Sequence, residues 1–231
     1  LVVGADGVNS SVRSLVFGSG FKKYYGSGVW AYWLPENFNS GKEWMQATWD
    51  HRTYAISPMG KNAIIWFMAA LTPREITSPE AAKKKLYDLF TNANDHLEEA
   101  LRVMPGPEDI FFDDMAYIDM QIWRKERVVL LGDARHATSP SLGMGASLAL
   151  EDAYVLAREL YKSGNSGVDG ALDKYAQMRQ KRLDALILLE KKFGTSPTRK
   201  SALGKFRNIL LPLIPAYFIL TPLKKFVTED I

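Results

Sequence analysis

Residues 128–131, Val-Val-Leu-Leu, have no polar alternation, so a strand built from them must be covered on both faces. The strand reads as Arg127–Leu131, and Gly132-Asp133 follows it at once. A buried strand that ends in a carboxylate belongs to an α/β layer structure, in which ligands bind beyond the carboxyl ends of the strands. Pro140-Ser141-Leu142-Gly143-Met144-Gly145-Ala146-Ser147 then supplies a glycine-containing loop and a helix start. The helix opens near Gly143, runs to about Lys162 and has Gly164 beyond its end. Asp133 is placed to accept hydrogen bonds from sugar-like hydroxyls. The amides of Gly143 to Ala146 face a bound group with the positive end of the helix dipole. Glycines at 143 and 145 leave space for a planar ring against the backbone. Gly145, Ala149, Ala153 and Ala157 recur every four residues, giving a face of small side chains for close approach to a strand or a ligand.

A second turn stands at the start of the chain. Leu1–Val3 reads as a short buried strand running into Gly4-Ala5-Asp6-Gly7, where two glycines around an aspartate mark a tight turn. Asn9 or Ser10 then caps a short helix through about Phe17, closed by Gly18. Because the sequence opens on a strand already under way, we expect the C-terminal part of something longer, or a matured product.

Between these turns the texture is first β and then helical. Val29–Leu34, Trp44–Trp49, Tyr54–Ser57 and Ala63–Leu71 are rich in aromatic and β-branched residues, with Pro58–Asn62 as a hairpin loop. Tryptophans 30, 33, 44, 49 and 66 all fall in this stretch. They either line a pocket for a flat apolar ligand or pack as ordinary core. Ser78-Pro79 starts a helix that runs to about Met104, with a break near Asn92–Asn94 and a stop at Pro105-Gly106-Pro107. A strand over Met115–Trp123 returns to the sheet. Asp169 caps a long amphipathic helix to about Phe193, with Leu172, Ala176, Leu183 and Ile187 on one stripe and Gly194 at its end. Phe206–Phe226 is apolar but broken by Pro212, Pro215 and Pro222, and reads as a tail packed on the body, with membrane-surface contact as the alternative.

Composition excludes several chemistries. The 231 residues include no cysteine and only three histidines (His51, His96, His136), which rules out disulfides and thiolate sites and leaves no metal-ligand spacing. No run of 18 apolar residues occurs. Residues 171–231 hold 12 Lys and Arg against 5 Asp and Glu, which reads as the solvated face of long helices. No nucleic-acid motif accompanies that charge, so no nucleic-acid partner is expected.

The segment from Gly132-Asp133 through Pro140, Gly143 and Ser147 resembles the Gly-Asp motif of the FAD-dependent aromatic hydroxylases. That group includes para-hydroxybenzoate, salicylate, ubiquinone-pathway and tetracycline monooxygenases. Gly4-Ala5-Asp6-Gly7 with Ser11 and Arg13 resembles the same family's Asp-Gly motif, and the two lie in the family's order. The resemblance implies an α/β fold: part of a Rossmann-like FAD-binding domain with an inserted antiparallel β-sheet substrate domain and C-terminal helices. Residues 1–20 and 124–168 would belong to the FAD-binding domain, 21–123 to the substrate domain and 169–231 to a helical region. It also implies site roles. Gly132 and Asp133 would serve the ribityl chain of FAD, while Pro140, Gly143, Met144, Gly145, Ala146 and Ser147 would run beside the isoalloxazine. Asp6 and Gly7 would sit near the pyrophosphate and the path of the nicotinamide donor. Arg13 would be either a contact for the donor's phosphates or a surface ion pair, and Asp6 could equally form a turn-stabilising hydrogen bond.

Three features depart from the family's pattern. Arg135 stands where the family has a small residue, and Ser147 where many members have asparagine. Gly-x-Gly-x-x-Gly, which opens the family's dinucleotide fold, does not occur in these 231 residues. This chain alone is therefore expected to hold FAD weakly or not at all and to be inactive. His136 is a family feature for which a structural hydrogen bond is expected. The implied activity is a cytoplasmic FAD-dependent monooxygenase that uses NADPH or NADH and O₂ on an aromatic or other electron-rich small molecule. No acid or base stands out as catalytic. The alternatives are an FAD-dependent reductase or epoxidase of an isoprenoid or lipid-like substrate, and a non-catalytic remnant or binding subunit.

Overall fold

Val2–Gly4 (β1) pairs in parallel with Val128–Leu130 (β8), Val2 opposite Val128 and Gly4 opposite Leu130. Arg124–Lys125 (β7) joins the other edge of β8 antiparallel, so the order is β1-β8-β7. The structure is a computed structural model that describes residues 1–41, 43–139, 143–164 and 167–193, together with Thr221 and Phe226; side chains of 190–193 are not described. Pro140, Gly194 and the rest of the apolar tail lie outside the described residues.

Those residues form two compact units, 1–23 with 116–193 and the two tail residues, and 24–115. In the first unit β8 is covered on both faces, as its apolar run requires. Val129 packs with Val155, Leu156, Leu172 and Tyr175. Leu130 turns the other way, to Ile118, Met120, Ala134 and Ala137. These partners come largely from the helices Gly145–Ser163 (α5) and Val168–Phe193 (α6) on one side. On the other side lie the short helix Asp133–His136 (α4) and, through Val12 and Phe17, the helix Ser11–Phe17 (α1). β1 is different. Among the described residues it pairs on one side only, and Val2 is 52% and Val3 41% exposed, where the sequence suggested a buried strand. Asp169 lies inside the first turn of α6 rather than at its cap, and accepts from Arg124 at 3.3 Å.

The second unit is a five-stranded sheet in the order β3-β4-β5-β2-β6. Its strands are Lys22–Leu34 (β2), Met45–Trp49 (β3), Arg52–Met59 (β4), Asn62–Ala70 (β5) and Phe111–Ile118 (β6). Alternate residues Trp30, Tyr32, Tyr54, Ile56, Ile65 and Phe67 form its core with Phe90 and Leu97 of the helices Pro79–Phe90 (α2) and Asp95–Arg102 (α3). Trp30 Nε1 and the Tyr32 hydroxyl donate to the helical carbonyls of Ala82 and Ala100. The tryptophans therefore divide. Trp30 and Trp49 join the core, while Trp33, one residue on from the core face, is exposed. The break between α2 and α3 falls where the sequence put it, with Asn94 capping α3 through Leu97 N.

Two expectations shift. Pro58 pairs with Ala63 inside the β4–β5 hairpin, so the loop is shorter than Pro58–Asn62. The returning strand spans Phe111–Ile118 rather than Met115–Trp123. Beyond it Asp119 N bonds Phe21 O, and the chain leaves the sheet.

Candidate functional site

The parallel register aligns the two turns. Gly4 is opposite Leu130, so the chain turns away from the sheet at Asp6 and at Gly132–Asp133 on the same, carboxyl edge. Gly4 permits this closeness: a Cβ there would stand 2.6 Å from Leu130 Cδ2 and 2.9 Å from Val12 Cγ1.

Asp6 closes its own turn. Its carboxylate accepts from the Ser10 hydroxyl and from the amides of Ser11 (2.7 Å) and Val12 (3.1 Å), the first residues of α1. Ser10 is the cap and accepts from Arg13 N at 2.9 Å. Burial acts to raise the Asp6 pKa, but the Ser10 and backbone hydrogen bonds outweigh it and hold the carboxyl below its ordinary value. Gly7 takes φ 77° in this turn. Arg13 is neither a surface ion pair nor open to a donor's phosphates. Only 4% exposed, it donates 2.7 Å bonds from Nη1 to Ala134 O and from Nη2 to Val8 O. It ties one turn to the other, because α1 turns that face inward.

At the second turn Gly132 has φ 57°, and a Cβ would meet the Ala149 methyl at 3.1 Å. Both facts require glycine. Of the small-residue face of α5, Ala149 is the member used for this approach; Ala153 and Ala157 are exposed. Asp133 opens α4 with its side chain exposed, and no described residue bonds it.

Beneath the turn lies a buried charged network that sequence reasoning did not assemble. Asp152 of α5 is fully buried and accepts from Gly132 N at 2.7 Å, from His136 Nε2 and from Arg179 Nε of α6. Burial would raise its pKa; the His136 hydrogen bond and charge, the Arg179 charge and the Gly132 amide together lower it. His136 thus makes the structural hydrogen bond expected of it. Glu151 accepts from Arg179 Nη1, Arg182 Nε and Arg182 Nη2, each at 2.9 Å. The sequence signal was there: two acids side by side on α5, and two arginines three apart on one face of α6.

Arg135, the departure from the family's small residue, is 0% exposed. Its guanidinium stacks 4.4 Å from the Trp123 ring centre and donates from Nη2 to Gln180 at 2.9 Å. Nε and Nη1 are buried and have no partner among the described residues. Burial pushes its pKa down to about 10.

The third part of the site is the start of α5. Gly143 turns at φ 64°, Met144 is the first flanking residue, and Ala146 and Ser147 are exposed. Among the described residues no side chain caps this terminus, and the helical ladder begins with Leu148 N on Met144 O. The amides of Gly145, Ala146 and Ser147 precede that ladder, so the helix itself gives them no partner. Exposed carboxylate, flat glycine backbone and uncapped amides suit a ligand with hydroxyls next to a planar, electron-accepting ring. Pro140, expected here, lies outside the described residues.

Comparison with known proteins agrees with this chemistry. The family model described as FAD binding domain matches residues 1–188. Aurachin C monooxygenase/isomerase of Stigmatella aurantiaca is 27% identical over 188 residues, covering 81% of this chain and 49% of that protein. The 2-heptyl-3-hydroxy-4(1H)-quinolone synthase of Pseudomonas aeruginosa is 30% identical over 162 residues, 68% of this chain and 42% of that protein. The chain spans about half the length of the curated relatives it matches. Among solved structures, Klebsiella pneumoniae HpxO complexed with FAD and uric acid shares the fold. Its TM-score is 0.82 at 21% identity, covering 98% of this chain and 59% of that one.

Proposed function

Because this chain belongs to the FAD binding domain family, we propose that it forms part of an FAD-dependent monooxygenase acting on a small aromatic or other electron-rich molecule, with NADPH or NADH as donor. The observation that carries the reading is the pairing of the exposed Asp133 carboxylate, at the carboxyl end of β8, with the uncapped amides at the start of α5. Asp133 would hold ribityl hydroxyls. The backbone of Gly143 to Ser147 would lie along the ring system, its amides stabilising negative charge on the reduced ring. Bound there, FAD would supply redox chemistry that takes two electrons as hydride from the nicotinamide donor and activates O₂, one oxygen atom going to the substrate and the other leaving as water.

The chain's own residues then orient and insulate. Asp152 and Arg179 fix the Gly132 turn, Asp6 and Ser10 fix the first turn, and Arg13 links the two. We assign residues 24–115, with their aromatic-rich sheet, to the substrate domain. Relatives named for quinolone chemistry and a neighbour holding uric acid support a flat heteroaromatic substrate. We place the reaction in the cytoplasm, where reduced nicotinamides are supplied. Among the described residues no helix is long and apolar enough to cross a membrane.

The test is a titration of the chain with FAD, followed by flavin fluorescence, and then NADPH and NADH oxidation with aromatic candidates in the presence and absence of O₂. Weak or no FAD binding is expected of this chain alone, and O₂-dependent, substrate-stimulated oxidation of the whole protein of which we propose it forms part. Turnover that persists without O₂ would point to a reductase instead.

A further inference from the structure

Resting on the reading of Gly143 to Ser147 as the flavin-facing turn, we propose that Phe226 is a positioning residue that seats this turn from the far end of the chain. Phe226 is 4% exposed and shares a core with Leu148, Leu186 and Leu189, against which Met144 and Ala185 also pack. Its ring centre lies 3.7 Å from the Arg182 guanidinium carbon, and its carbonyl accepts from Arg182 Nη1 at 2.5 Å. The same Arg182 holds Glu151 of α5 through Nε and Nη2. One arginine of α6 therefore grips α5 and the tail residue together.

The missing cap gives this contact its consequence. A helix N-terminus is ordinarily oriented by a capping side chain, and among the described residues α5 has none. Its first turn, ahead of the ion pairs of Glu151 and Asp152, is held instead by apolar packing, as a hydrophobic staple holds a helix start. Met144 and Leu148 are the residues of that turn which pack, and among the described residues Phe226 is the part of their core drawn from outside α5 and α6. Removing the ring frees the three amides that would face the flavin to reorient.

Hydrogen exchange on the full chain tests this without flavin. Phe226→Ala should speed exchange of the 148–152 amides about tenfold or more while leaving β4 and β5 unchanged, and Phe226→Tyr should restore it. With FAD as probe, the dissociation constant of Phe226→Ala should rise about tenfold and the visible flavin band should shift. Unchanged exchange, or faster exchange spread evenly through the chain, would overturn the proposal. Local acceleration with unaltered FAD affinity and spectrum would overturn its link to the flavin. If wild type binds no measurable FAD, the exchange arm alone decides the seating of the α5 turn, and the same titration on the whole protein decides its link to the flavin. Should Phe226→Ala not fold, Phe226→Leu keeps apolar volume without the stacked ring and gives the same readouts.

Discussion

The backbone amide of Gly132 donates to the buried carboxylate of Asp152 at 2.7 Å, so the turn that presents Asp133 is held from beneath by a charge on α5. That carboxylate also neutralises Arg179, itself 3% exposed. Asp152→Ala would strip the buried Gly132 amide and His136 of their acceptor and leave the buried Arg179 with only Glu151 and the Leu148 carbonyl. We expect a loss of about 3–5 kcal/mol in urea unfolding followed in residues 116–193. A change under about 1 kcal/mol would remove Asp152 from this role.

Acid should act through the same group. The native pKa values of Asp152, Glu151 and Asp6 are all lowered. As pH falls, the unfolded chain takes up protons first, near the ordinary carboxylate values of about 4, while the native state resists. The stability from these groups is therefore fully present above that range and is lost progressively below it. A denaturation series from pH 7 to pH 2 should be flat at first and then fall. Asp152→Asn should flatten the acid limb.

Asp133 should behave in the opposite way. Its exposed side chain bonds no described residue, so Asp133→Asn should change stability by less than about 0.5 kcal/mol. FAD association, strong or weak, should fall about tenfold, the weight of one charge-assisted hydrogen bond. Thermal unfolding without FAD and a fluorescence titration with it separate the two effects.

Arg135 is a local inconsistency that a substitution can relieve. Met is of similar length and would remove two buried nitrogens that have no partner among the described residues, at the loss of the stack on Trp123 and of the Nη2 bond to Gln180. The cation–π term is about 1–2 kcal/mol and the unpaired groups cost at least as much. Arg135→Met should be neutral or stabilising by about 1–2 kcal/mol in chemical denaturation. A loss above about 3 kcal/mol would show that those nitrogens have partners in solution.

Gly132→Ala combines a left-handed backbone with a 3.1 Å approach to the Ala149 methyl. The backbone strain is worth about 1 kcal/mol and the overpacking about 1–3 kcal/mol. Ala149→Gly should recover the packing share and none of the strain. Full recovery, or none, in a double-mutant cycle would refute that division.

Much of this protein was legible in local sequence. The Val128–Leu131 run demanded a strand covered on both faces, Gly7 marked a turn with positive φ, and Ser78 and Asn92–Asn94 marked a helix start and break. Each of these signals acts within a few residues, where backbone sterics and hydrophobic periodicity leave few choices. The two motifs in order also pointed to the flavin family. The tertiary structure decided what depends on packing between distant segments. It turned Arg13 inward to Ala134 and Val8, left β1 exposed, split the tryptophans by strand register and buried Arg135 against Trp123. It also joined Glu151 and Asp152 to Arg179 and Arg182, two pairs whose complementary charges were visible but whose meeting was not. A buried charge requires its partner, yet only the crossing of α5 and α6 over β8 brings the partner within reach.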